Sequence, residues 1–302
     1  MLVQTSEGGS EIKIANELSE ETTIETVEMF TAVKAKKHII LNHKIVNSSK
    51  DWIYGKESEL NVSRKSAKVQ KSVKYGVAYT GSLSVYRWNT YDKRVYNAVV
   101  SLYAAGNEVL TPSMIYRHMN GLDGRQGVSD SSIELIINSV DKSRETYIGI
   151  EFENDDSALK GTLIHADKVN VITGKYSVVG YQLKEKPILY QINTKQIITV
   201  DAGLLNTKDR IKRDSVNAVI LKEFLIKRIE NIKAGKLNPH IRFEAIYEEL
   251  GISQPTRKNI ETIRKNTENI LLSLSDKKYI QKYDLYKQGK AFKGIKITTR
   301  QS

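Results

Sequence analysis

Arg257, Lys258, Glu261, Arg264 and Lys265 recur at the three- and four-residue spacing that gathers side chains on one side of a helix. Gln254 and Thr256 stand just ahead of them, and Lys287, Lys290 and Lys293 flank Gly289 further along. These residue types support recognition of a phosphate-bearing polymer. Arginine offers a planar fork to O6 and N7 of guanine, and lysine neutralises backbone phosphate as a point charge. Gln254, Thr256, Arg257, Lys258 and Glu261 fall where a helix entering the major groove meets base edges; Arg264 and Lys265 fall further along, toward the backbone. A helix with one charged face is most often a solvated surface helix, so its neighbours must carry the argument.

Those neighbours read helix, turn, long helix, strand, basic loop, strand. Residues 241–250 carry Ile241, Phe243, Ile246, Tyr247 and Leu250 near helical spacing. Gly251 follows as a helix stop, because glycine enters the left-handed region without a Cβ penalty. Ser253-Gln254-Pro255-Thr256 restarts the chain, with Pro255 expected in the first turn of the next helix. That helix places Ile260, Ile263, Thr267, Ile270, Leu271 and Leu274 on its apolar face. Residues 279–286 and 292–298 are strand-like, with Lys287-Gln288-Gly289-Lys290 as the loop between them. The order predicts a helix-turn-helix with a β-hairpin wing.

Other chemistries find no support. The chain has no cysteine, which removes disulfides, thiolate zinc sites, iron–sulfur clusters and cysteine nucleophiles. No Gly-x-x-x-x-Gly-Lys-Ser/Thr occurs, and Gly174-Lys175 lacks both the upstream glycine and the hydroxyl. His38, His43, His118, His165 and His240 form no His-x-His or His-Glu-x-x-His cluster. Neither His118 nor His240 opens the His-x-x-Arg element of a tyrosine recombinase, and no spacing marks a carboxylate pair. The expectation is a binding protein with no enzymatic activity, cofactor or metal.

The length of 302 residues suits two domains, and 40% hydrophobic with 27% charged residues is a globular profile. A net charge of +12 and a pI of about 9.4 favour an anionic partner, nucleic acid before membrane. Glu7, Glu11 and Glu17 stand where a signal peptide needs basic residues, and no apolar run approaches a membrane span. A cytoplasmic protein with no membrane partner is expected. Residues 1–30 are acidic, with 6–10 expected to be disordered and 18–30 able to form a short helix. From Lys34 to Lys74 the sign reverses into a basic arm, either a flexible linker or an extension that touches nucleic acid. Trp52, Tyr54, Tyr75, Tyr79, Tyr86 and Trp88 argue that parts of it pack.

A first compact unit starts near Thr90. A helix over 90–105 keeps Val95, Val99, Leu102 and Tyr103 on one face and stops at Gly106-Asn107. Thr111 and Pro112 start a second helix as cap and first residue. A third spans 129–141 with Ile133, Ile136, Ile137 and Val140 inward. Strands are expected over 146–152, 159–172 and 176–183, and one or two over 187–200. Residues 114–119 match 245–250 in hydrophobic phase, and each follows a long helix, the second over 215–233. The expected fold is therefore α+β: tandem winged-helix domains over 90–205 and 206–302 behind an N-terminal extension over 1–89 that is partly disordered. The copies differ in charge. The third helix of the first exposes Asp130 and Glu134, which phosphate would repel, so DNA binding is expected in the second copy and dimerisation or packing in the first.

Over residues 90–298 this layout resembles the plasmid replication initiators built from two winged-helix domains. Ile246-Tyr247-Glu248-Glu249-Leu250-Gly251, the 257–265 helix and the 287–293 wing carry the resemblance. It implies binding to repeated origin sequences in double-stranded DNA, a homodimer through the N-terminal winged helix, and contact with host replication machinery. The acidic head and basic arm depart from the family pattern. The same domains also serve transcriptional regulators and partition adaptors. A protein-interaction module whose basic face is merely solvated is a third reading.

Overall fold

The computed structural model describes residues 23–25, 37–42, 44–47, 57–63, 70–79, 88–124, 126–152, 158–173, 176–192, 197–206, 216–289 and 291–299. In chain order the elements are β1 (Thr23–Glu25), β2 (Lys37–Leu41), α1 (Lys44–Asn47), β3 (Glu57–Ser63), β4 (Gln70–Tyr79), α2 (Thr90–Ala104), β5 (Val109–Leu110), α3 (Pro112–Asn120), α4 (Asp130–Glu145), β6 (Thr146–Phe152), β7 (Ala158–Thr162), β8 (Ala166–Thr173), β9 (Tyr176–Leu183), α5 (Ile188–Ile192), β10 (Ile197–Asp201), a 3-10 turn (Ala202–Leu205), α6 (Val216–Lys233), β11 (His240–Arg242), α7 (Phe243–Glu249), α8 (Arg257–Asp276), β12 (Lys282–Gln288) and β13 (Ala291–Thr298). The architecture is mixed α+β, with helices packed on small sheets.

Local chemistry sets the helix starts of the first unit. The Asn89 side chain accepts from the Tyr91 and Asp92 N–H groups, while Asp92 accepts from the Asn89 N–H at 2.7 Å, closing a capping box. Thr111 caps α3 by accepting from the Met114 N–H, with Pro112 as first residue. Ser129 caps α4, which runs on to Glu145. Val95, Val99, Leu102, Met114, Ile115, Ile136 and Val140 close the core around Trp88. β5 pairs with β9, and β9 with β8. The second unit repeats this plan: α6, β11, α7 and α8 are followed by a hairpin, and β11 pairs with the hairpin's last strand, β13. The first unit carries an insertion, β6 and β7, which β3 and β4 extend into the sheet β3-β4-β6-β7.

Several stretches differ from the sequence expectation, most of them through a contact with a distant part of the chain. Within 18–30, Thr23–Glu25 is a strand parallel to β8 rather than part of a helix. The remainder of that stretch, and residues 6–10, lie outside the described residues. The basic arm contains β2, β3 and the first half of β4. Residues 159–172 break into two strands because Leu163 and Ile164 turn inward, their N–H groups donating to Thr146 O and Ser143 O at the end of α4. Residues 187–200 open with α5, not a strand. The expected 241–250 helix begins only at Phe243: His240–Arg242 alternates exposed, buried, exposed and ladders with β13.

A two-stranded ribbon of β2 and β10 lies between the units. Successive strand residues point to opposite faces, so Ile39, Leu41 and Ile197 pack on the first core while Ile40, Ile198 and Val200 pack on the second. Beneath it, α2 is buried on all sides from Asp92 to Leu102 rather than along one stripe. Arg94 Nε donates to Glu223 Oε2 of α6 at 2.6 Å, with both side chains buried. Asn97 Nδ2 donates to Glu223 Oε1 at 2.8 Å and Asn97 Oδ1 accepts from the Leu41 N–H at 3.2 Å. His38 and His118, both buried, face each other at 5.2 Å. Burial first, then the charges of His118 and Arg94, hold His38 well below its usual pKa, so it is neutral. No helix among the described residues is long and apolar enough to cross a membrane.

Candidate nucleic-acid interface

α7 ends as the sequence predicts at Gly251, whose φ of +70° lets the Ile252 N–H reach Tyr247 O at 2.8 Å. The space around Gly251 is open, so backbone conformation alone selects glycine there. Pro255 lies outside α8 rather than in its first turn. Thr256 is the cap, with extended φ and ψ and Oγ1 accepting from the Asn259 N–H at 3.3 Å. Its hydroxyl is thus committed to the helix as well as exposed toward solvent. Gln254 stands exposed in the turn.

Ile263, Thr267, Ile270, Leu271 and Leu274 bury one face of α8 as expected, and Thr267 Oγ1 donates back to Ile263 O at 2.7 Å. Ile260 does not join them. It is 41% exposed and shares the outer face with Arg257, Glu261 and Arg264. Arg257, Lys258, Glu261 and Lys265 are all exposed. Glu261 is four residues from both Arg257 and Lys265, yet among the described residues none of these four, Lys258 included, forms an ion pair. Arg264 is half-buried: its Nε lies 3.4 Å from Glu268 Oε1 and its guanidinium 4.7 Å from the Phe292 ring centre.

The hairpin meets the helix at that ring. Lys287 Nζ sits 4.6 Å from the centre of Phe292, so one aromatic residue gathers a cation from α8 and another from β12. Lys287 and Gln288 belong to β12, not to the loop, and the register shifts between Tyr286 and Lys287. Gly289 turns the chain with φ of +62°. Lys290 lies outside the described residues. Lys293 Nζ is 3.6 Å from Glu244 Oε1 of α7, which partly neutralises it. At Gly294 a Cβ would come within 2.3 Å of Ile241 O; the missing side chain lets β13 lie close against β11 and fixes the hairpin. A groove beside the turn is lined by Glu244, Tyr247, Glu248, Ile252 and Pro255 and carries no cation.

The equivalent helix of the first unit is different. α4 exposes Asp130, Glu134, Leu135 and Asn138. Its cations are engaged: Lys142 Nζ with Asp92 Oδ2 at 2.7 Å and Arg144 Nη1 with Asp141 Oδ1 at 3.0 Å. Sequence reasoning missed Phe292 and the outward turn of Ile260. Phe292 was legible only as a strand residue, although its position between Lys287 and Lys293 marks it. No group of three or more histidine, aspartate and glutamate side chains among the described residues is placed to hold a metal ion.

No family model matches the chain, and no curated protein matches it. Among solved structures it is similar to a selenomethionine derivative of domain 2 and domain 3 of RctB, at 10% identity and a TM-score of 0.39, over 85% of this chain and 98% of that one. A likeness that distant identifies neither a fold nor an activity.

Proposed function

We propose that both units are winged helices and that the second binds double-stranded DNA with sequence specificity, α8 entering the major groove and the β12–β13 hairpin lying on the backbone. The observation that carries this reading is the outer face of α8. Solvated helices commonly lace their charges into pairs four residues apart. Here, among the described residues, Arg257, Lys258 and Lys265 have no counter-ion although Glu261 is within reach of two of them in sequence. Phosphate supplies the missing negative charge, and Arg264 and Lys287 at Phe292 join hairpin and helix into one surface.

The first unit we assign to self-association as a homodimer, since α4 offers Asp130 and Glu134 beside the exposed Leu135. Two such units in one basic chain favour initiation of replication on a plasmid or other mobile element, with binding to repeated origin sites and recruitment of host replication proteins. The role assigned is binding; no catalytic step is. The test is selection of bound duplexes from a random pool, followed by footprinting on the element that encodes the chain. Protection of direct repeats within an origin is expected. Protection confined to a promoter would make the protein a regulator, and no shift of any duplex at low salt would remove DNA from its function.

A further inference from the structure

Away from α8, two lysines converge on one neutral oxygen. Lys93 of α2 and Lys227 of α6 both donate to Asn47 Oδ1, each at 3.3 Å. Lys93 is only 5% exposed, and Lys227 is half-buried. Buried ammonium groups ordinarily sit against carboxylates, yet among the described residues neither lysine is in an ion pair. Glu223 and Glu249 are the carboxylates whose fields reach Lys227. Glu223 is already held by Arg94 and Asn97, and Arg228 adds a further positive charge. Burial, followed by the Lys93 charge, brings Lys227 down to about 8. Asn47 is exposed and, among the described residues, otherwise bonded only to Asn42, so the meeting point opens to solvent.

We propose that the junction of α1, α2 and α6 is a phosphate-binding site, in which an anionic oxygen takes the place of the Asn47 amide oxygen between Lys93 and Lys227. A charged oxygen bonds two ammonium groups more strongly than an amide does and removes their mutual repulsion. The group is a phosphodiester of bound DNA or a free phosphate, and the two sources are separable. The inference does not rest on the α8 reading, because free phosphate tests it in the absence of DNA.

The experiment is thermal unfolding of the full chain, with inorganic phosphate replacing chloride at constant ionic strength, for the wild type, Lys227→Gln, Lys93→Gln and Lys227→Arg. The wild-type midpoint should rise and saturate with phosphate. Lys227→Gln should raise the midpoint in chloride by relieving repulsion while losing the phosphate-dependent rise, and Lys227→Arg should keep that rise. Lys93→Gln checks the other half of the site. In a second arm, the salt slope of duplex binding should fall by about 0.9 in Lys227→Gln if a backbone phosphate is the ligand. A phosphate response with no change of slope assigns the site to a free ion. An unresponsive wild type together with an unchanged slope overturns the proposal.

Discussion

His38 and Ile260 show what one side chain can and cannot announce. Lone histidines default to core or surface, and His38 is core: fully buried, with neither ring nitrogen hydrogen-bonded among the described residues. Its folded pKa lies below the unfolded value near 6.5. Above that pH neither state is protonated and the residue contributes no pH dependence. As pH falls below it, the unfolded chain binds a proton that the folded chain does not, so stability falls by up to about 1.4 kcal/mol per pH unit until the folded pKa is reached. Urea unfolding between pH 7.5 and 5 should therefore show a weaker acid loss in His38→Leu than in the wild type; equal slopes would mean that His38 is not buried neutral. Ile260 fits the apolar period of α8 and was legible as core, but helical phase alone does not separate the edge of a stripe from the outer face. Its exposed methyls among Arg257, Glu261 and Arg264 suit contact with thymine methyl groups. Ile260→Ala should lower affinity for the preferred site by about tenfold, at the low end of a base-reading contact, and leave thermal stability within about 0.5 kcal/mol. Loss of stability instead of affinity would return Ile260 to the core.

Elements were legible where their causes are local. The caps at Thr111 and Pro112, the stop at Gly251 and the apolar face of α8 are written within a few residues of where they act. β1, β2 and β11 were not, because each is a strand only through a partner far along the chain: Ile24 beside Val171, Ile40 beside Ile198, Ile241 beside Ile295. The hairpin sits between these cases. Its turn was legible from Gly289, its union with α8 through Phe292 was not. Phe292→Ala should loosen that union. Hydrogen exchange of β12 is expected to speed up, and DNA affinity to fall with α8 itself intact by circular dichroism. Unchanged exchange in β12 would show that Gly294 and β11 hold the hairpin unaided.

Across the whole molecule, the two units share a buried seam rather than a simple linker. Arg94, Asn97 and Glu223 join α2 to α6, and the β2–β10 ribbon donates apolar residues to both cores. Removing one partner of a buried ion pair strands the other charge, typically at about 3–5 kcal/mol. Glu223→Ala should therefore lower the stability of the full chain by that order, with both units melting together in the wild type in calorimetry. Two separate transitions in the wild type would show that the seam does not couple them. Whether the outer face of α8 reads DNA is tested most directly by titration of wild type, Arg257→Ala and Lys265→Ala against the selected site and a scrambled duplex over a range of salt. Arg257→Ala should lose about 1–3 kcal/mol of discrimination at one or two base pairs. Lys265→Ala should weaken both duplexes alike and reduce the salt slope by about one phosphate contact. Equal losses on both duplexes for Arg257→Ala, or a wild-type affinity that does not change with salt, would contradict the assignment of α8 as the reading helix.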